Sequence, residues 1–359
     1  MNWLAQIFEI GHGEHRPLRS MEGLRGFAVF LVFLVHYVTL VEPWLNPNTW
    51  TSNTAEVLRR LGNAGVDLFF VLSGYLIYGT LIEKPRPFWQ YFGRRIQRIY
   101  PTFLAVFAIY LVLSWIAPAY SKIPTGQAEA IIYLIQNVLL LPGLFPIPPL
   151  ITVAWSLSYE MFYYLVIPLL IVVLGLRSWP RFLRFLLFAV IGATLFIYPA
   201  LYGGHVRLAM FVAGILVYEA LDSKAGPALD LTGLAALAIG LIAVSVLKRY
   251  EVSGVPHFVI LFVAYFLLCY SCFWGKGTAS KVFCWTPLRW LGNMSYSYFL
   301  IHGLTLRIAY EGLASIRPPL AQETWIFWLM LLPMFLLSLI PAVIIFVTIE
   351  KPCSLGGKS

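Results

Sequence analysis

Apolar runs of about 20 residues recur along almost the whole of this chain, and that is the length an α-helix needs to cross the hydrocarbon core of a bilayer. Such runs are read near 24–42, 62–82, 100–118, 150–174, 183–202, 205–221, 229–247, 256–274, 288–310 and 325–349. They predict an all-α integral membrane protein, a bundle of about ten transmembrane helices. Composition agrees: 11% of the residues are charged and 60% hydrophobic, against about 25% charged in a soluble domain. Aromatic residues at 16% suit interfacial belts. A shorter run at 130–141, AIIYLIQNVLLL, leads into PGLFPIPPL and reads as a re-entrant or surface helix.

The first 20 residues lack a basic start, an apolar core and a small-residue cleavage site, so they read as a short amphipathic segment rather than a signal peptide. Ten spans put both termini on one side. The loops on that side carry roughly twice the Lys and Arg of the opposite loops, which by the positive-inside rule makes it cytoplasmic. The formal charge of +9 is then a property of basic loops, not a sign of nucleic-acid binding. The four cysteines are too few and too poorly spaced for a disulfide framework, and CYSC at 269–272 ends an apolar run. No soluble domain, long linker or internal repeat is visible, so residues 1–359 read as one domain.

Inside these runs a few polar residues stand out. Arg25 and His36 lie eleven residues apart in MEGLRGFAVFLVFLVHY. At 100° per residue they share a helix face, about 16 Å apart along the axis. Asp67 in GVDLFFVLSGYLI lies at a depth similar to His36, Glu160 in AWSLSYEMFYYL sits among aromatics, and His302 in LGNMSYSYFLIHGL is near mid-membrane. Ionisable groups in spans are costly and face the bundle interior or a wet cavity. Two histidines and two carboxylates at a common depth point to a shared polar site, in which a carboxylate raises the basicity of a histidine and suits it to general-base work. The plainer alternative is interhelical hydrogen bonding, and for Ser73 and Gly74 close helix packing. Arg94, Arg95 and Arg98 in YFGRRIQRIYP precede the third run, with Arg94 and Arg98 four apart on one face. Such a cluster grips phosphates or anchors the chain on anionic lipid. No Walker-type glycine loop and no cluster with zinc-ligand spacing is present.

Arg25 with His36, FFVLSG at 69–74, RRIQRIYP at 94–101, WSLSYE at 155–160 and LGNMSYSYFLIH at 291–302, in this order, resemble the motifs of the acyltransferase 3 family of multi-pass membrane O-acyltransferases. Glu22 stands where an aspartate is more usual. The resemblance implies a ten-helix domain in a bacterial inner membrane that takes an acyl group, usually acetyl, from cytoplasmic acetyl-CoA or another acyl-CoA, without a metal. It passes the group to a hydroxyl on a lipid-linked, envelope or exported glycan. Some relatives carry an extracytoplasmic esterase-like domain; this chain reads as the stand-alone form, acting alone or beside polysaccharide export proteins. By the same resemblance His36 is the catalytic histidine, Arg25, Arg94, Arg95 and Arg98 hold the donor, and Glu160 is an acidic partner. Asp67, Ser73 and His302 are further candidates. Transfer is either direct, with His36 as general base, or through an acyl-histidine. The oxyanion donor is open among Ser73, Tyr159 and a backbone amide. The competing class is a proton-coupled transporter or flippase using the same His and Glu, but the repeats that favour it are not seen.

Overall fold

The computed structural model describes residues 2–10, 16–221, 231–247, 255–274, 277–320 and 323–355. Among the described residues regular structure is helical, with no strand. This follows from the composition, because a helix satisfies its own backbone where no water is available. In order, the helices are α1 (Asn2–Phe8), α2 (Arg16–Val41), α3 (Trp50–Glu83), α4 (Phe88–Ile116), α5 (Gln127–Val138), α6 (Trp155–Val173) and α7 (Arg181–Tyr202). Then come α8 (Ala209–Ala220), α9 (Thr232–Leu247), α10 (Pro256–Trp274), α11 (Thr278–Phe283), α12 (Thr286–Asn293), α13 (Ser295–Ile316) and α14 (Trp325–Ile345). The chain continues from α14 as a π-helix, Phe346–Leu355.

Among the described residues seven segments are long and apolar enough to cross a membrane: those built on α2, α3, α4, α6, α7, α10 and α14. The expected count of about ten is therefore not confirmed. Each remaining expected span does contain a helix, but α8 has 12 residues and α9 has 16, too short to cross unaided. The run near 288–310 is not one helix. It divides at Met294 into α12 and α13, where Asn293 turns its amide onto the Phe8 carbonyl at 2.9 Å. The third run begins earlier than expected, at Phe88, so the arginine-rich segment forms the first turns of a spanning helix, with Pro101 inside it. The short run at 130–141 forms α5, half of whose 12 residues are exposed. Residues 11–15 of the N-terminal segment, the start of the run near 229–247, and the basic residues Lys224, Lys248, Arg249, Lys276 and Lys358 lie outside the described residues.

Lipid tails are as apolar as leucine, so helices in a membrane are held by close packing and polar contacts rather than by expulsion of water. Two reciprocal glycine contacts show this. A Cβ on Gly74 of α3 would collide with the Phe211 carbonyl of α8, and one on Gly214 with the Val71 carbonyl. Likewise a Cβ on Gly26 would strike the Leu288 carbonyl of α12, and one on Gly292 that of Glu22. The α2, α3 and α8 helices form the interior; Met210, Phe211, Val212 and Ile215 of α8 are completely buried. The α7 and α14 helices turn Phe182, Ile197, Leu332 and Ile340 outward, as a lipid-facing sheath requires.

At the Arg25 end of the bundle several elements are tied together by ions. Arg289 of α12 bonds Glu22 of α2 at 2.8 Å and Glu9 after α1 at 2.7 Å. Lys351 of the π-helix donates to the carbonyls of Gln6 and Ile7 at 2.7 and 2.6 Å. The departure at Glu22 thus has a structural role, as one arm of a buried ion pair. Cys269, Cys272 and Cys353 are free thiols.

Candidate active site

Among the described residues α2 passes two cavities within the bundle. The first, of about 80 Å³, is walled by α2, α3, α4, α6 and α13, and its polar lining includes Arg25, Ser73, Arg95, Arg98, Glu160 and Ser295. The second, of about 450 Å³, takes His36 and Thr39 from α2, Tyr110 from α4, Tyr120 and Lys122 from the loop after it, and Gly303, Arg307 and Glu311 from α13. The same division runs along α13: Ser295, Tyr296 and Phe299 face the first cavity, Gly303 and Leu304 the second. His302 stands at the change-over. Phe69 of α3 meets Phe299 edge to face at 6.0 Å beside it.

The first cavity is cationic. Arg95 lies over the rings of Tyr91 and Tyr164, at 5.4 and 5.2 Å, a stacking geometry that suits a guanidinium and fixes its plane. Tyr164 donates to Glu160 at 2.5 Å and Ser73 does so at 3.4 Å. Arg25 has Arg98, Glu350, Glu160 and Glu22 as its electrostatic neighbours. With three arginines against one lining carboxylate, the cavity is built for an anion and for a polarised oxygen beside it. The hydroxyl of Ser295 is buried without a hydrogen-bond partner among the described residues, and it lines this cavity.

At the partition, the His36 and His302 rings approach edge to face with centroids 4.9 Å apart. His302 is completely buried. Its Nδ1 lies 2.9 Å from the Tyr298 carbonyl, which can only accept, so Nδ1 carries the proton. In the neutral ring Nε2 is then the lone-pair nitrogen. Nε2 is buried and has no hydrogen-bond partner among the described residues. Tyr298 stacks on the ring at 5.0 Å and holds its plane.

The structure sorts the residues singled out in the sequence. It gathers Arg25, Ser73, Arg95, Arg98 and Glu160 in one cavity and places His36 in the other, with His302 beside it. Arg94 is exposed and lines neither cavity; the arginines that face inward are three apart, not four. Asp67 is buried but is not brought to His36. It pairs with Arg207 at 3.7 Å, and that guanidinium covers Trp155 and Phe258. Tyr159 bonds His205 Nδ1 at 2.7 Å and lines neither cavity. Sequence reasoning missed Glu350. It sits in the π-helix, accepts from the backbone N–H and hydroxyl of Ser297 at 3.0 and 2.5 Å, and is a neighbour of Arg25. Its only signal was a carboxylate ending the last apolar run, and π-turns in helices are frequent at functional sites.

Comparison with known proteins gives this geometry a family. Residues 18–347 match the acyltransferase domain that defines the acyltransferase 3 family. The chain is 25% identical over 278 residues to the peptidoglycan O-acetyltransferase OatA of Listeria monocytogenes, covering 67% of this chain and 44% of that protein. It is 26% identical over 275 residues to the O-acetyltransferase OatA of Staphylococcus aureus, covering 67% and 45%. An uncharacterized protein of Haemophilus influenzae is 35% identical over 122 residues, 30% of this chain and 48% of that one. The chain thus spans less than half the length of these relatives. No solved structure matches it. With a domain match over nearly its whole length, the chain belongs to the acyltransferase 3 family of membrane acyltransferases.

Proposed function

We propose that this protein is an O-acetyltransferase that receives its acyl group from acyl-CoA in the first cavity and delivers it to a glycan hydroxyl entering the second. The observation that carries the reading is the pair of cavities at the two ends of the Arg25–His36 face, with two histidine rings at the partition. The basic-loop asymmetry supports a cytoplasmic first cavity and an inner-membrane location, with both termini inside. The OatA relatives support acetyl as the group and an envelope glycan such as peptidoglycan as the acceptor.

In this account Arg95 and Arg98 hold the donor's phosphates and Arg25 orients its thioester end. A nitrogen of the His36 ring takes the proton of the acceptor hydroxyl, whose oxygen attacks the thioester carbonyl. The carbon–oxygen bond forms, the carbon–sulfur bond breaks, and the CoA sulfur leaves with a proton. His302, its own tautomer fixed by the Tyr298 carbonyl, positions the His36 ring. Glu160 balances the arginines and keeps Arg25 directed into the cavity. Ser295, whose hydroxyl is uncommitted, is the donor available to the developing oxyanion, whereas Ser73 would first have to release Glu160.

The test compares O-acetyl groups on envelope glycans from a deletion strain complemented with wild type or with His36→Ala. The account expects acetylation from the first and none from the second at equal protein level. Acetylation sustained by His36→Ala removes the histidine from the chemistry.

A further inference from the structure

The second cavity holds a feature that general-base chemistry leaves unexplained. Two cations, Lys122 and Arg307, line it. Arg307 lies over the Tyr120 ring at 5.3 Å, which places its guanidinium against a second residue of the cavity lining. The Lys122 ammonium donates to the Pro149 carbonyl at 3.0 Å and to the Thr152 hydroxyl at 3.2 Å, both neutral partners, which leaves one N–H uncommitted. Partial burial and then the charge of Arg307 lower the Lys122 ammonium below its ordinary value, so the two cations act on each other. The carboxylate on this wall, Glu311, reaches Arg307 only at 3.7 Å, with both side chains more than half exposed. An exposed pair at that separation is weak. Two like charges at one cavity are compensated when an anion sits between them.

From this geometry we infer that the second cavity is an acceptor site for an acidic glycan, with Lys122 and Arg307 receiving a carboxylate or phosphate group of the sugar chain. The inference rests on the acyltransferase reading and adds the chemical class of the acceptor. Spacing sets where the charge lies. Arg307 is five residues beyond His302 on α13, about 8 Å along the axis. The acidic group is therefore on the acylated sugar or on the sugar next to it. Tyr110 and Tyr120 supply flat faces for the rings between. Bidentate contact to Arg307 gives the site orientation as well as charge. A glycan anchored in this way presents a limited set of hydroxyls to His36, which makes the cation pair a device for choosing the acylated position.

The experiment first identifies, by mass spectrometry, the sugar that loses its acyl group when the gene is deleted. The site requires a carboxylate or phosphate on that sugar or its neighbour. The isolated glycan, with its acidic groups free or blocked by amidation or methylation, is then given to purified protein in phosphatidylcholine nanodiscs with and without phosphatidylglycerol. Wild type should acylate the free form at least about tenfold faster at low acceptor concentration, the factor expected from one charge-assisted hydrogen bond. The double variant K122M/R307M should lose that preference while binding acyl-CoA as before, and Arg307→Lys should keep part of it. If the double variant fails to accumulate, Lys122→Gln and Arg307→Gln singly take its place. A neutral acceptor, or equal rates on free and blocked glycan, overturns the anion site and leaves the acyltransferase reading standing. A variant defect seen only with phosphatidylglycerol assigns the cations to lipid and also overturns it. A deletion that changes no O-acyl group removes the acyltransferase reading and this site with it.

Discussion

The two cavities differ in ways that match two different jobs. The first is small and closely packed, with three arginines, one carboxylate and aromatic walls, and its charges hold one another in place. The second is several times larger, carries fewer charges, and its Arg307 and Glu311 side chains are more than half exposed. A preorganised cationic cleft suits a donor whose chemistry never varies, whereas a roomier, wetter vestibule suits a bulky sugar chain. His36 and His302 stand where the two meet. The lesson is that one helix, α2, carries both halves of the problem. In the proposed reading Arg25 serves the donor and His36 the acceptor, and the helix rise between them sets the span the acyl-bearing end would have to cover.

The sharpest way to break this division is at His36. His36→Ala should lower transfer by about 10²–10⁴-fold, the range for losing a general base, and leave the first cavity able to bind acyl-CoA. Parallel turnover and binding measurements check this. A smaller effect, opposite in kind, is expected on the arginines. Arg95→Ala or Arg98→Ala should weaken acyl-CoA binding by about 10–100-fold, as loss of a charged hydrogen bond does, and should not alter which glycan is acylated. Arg94→Ala, on the exposed face, should stay within about twofold, because exposed charge contacts are worth little. The contrast between Arg94 and Arg95, one residue apart, separates a role in the cavity from a general attraction to anionic lipid.

Two further changes sharpen the partition. His302→Gln should cost up to about tenfold in turnover with little change in acyl-CoA affinity, since an edge-to-face ring contact is worth about 0.5–1.5 kcal/mol. The pH profile of turnover should change shape, which a purely structural role would not cause. Tyr164→Phe should have a smaller effect than the cavity arginines, a fewfold rise in acyl-CoA Kd. It removes one hydrogen bond to Glu160 and leaves the ring under Arg95 in place.

Much of this arrangement was legible in the sequence, for reasons that can be named. The Arg25–His36 relation follows from helix geometry alone, and α2 runs unbroken from Arg16 to Val41. Helical class follows from the apolar runs. What the sequence did not supply was rotation about each helix axis and the path between helices. Asp67 lies at a plausible depth, but Arg207 comes from a short turn before α8 to meet it. The i, i+4 rule selects Arg94 with Arg98, yet packing of α4 turns the i, i+3 pair Arg95 and Arg98 inward. Glu350 reads as an interfacial residue until the π-helix places it against Ser297 and near Arg25. The break at Met294 depends on contacts of α12 with α1 and α2, which no local pattern reports.

The central claim is that donor binding and proton transfer reside in separate cavities. Acyl-CoA affinity and single-turnover transfer, measured on the same preparations of wild type, His36→Ala and the Arg95→Ala/Arg98→Ala double variant, test it directly. The account predicts that His36→Ala binds acyl-CoA within about threefold of wild type (under 1 kcal/mol) and transfers about 10²–10⁴-fold more slowly. The arginine variant should bind poorly, yet transfer once the donor is supplied at saturation. Equal loss of acyl-CoA binding in both, or undiminished binding in the arginine variant, would contradict it.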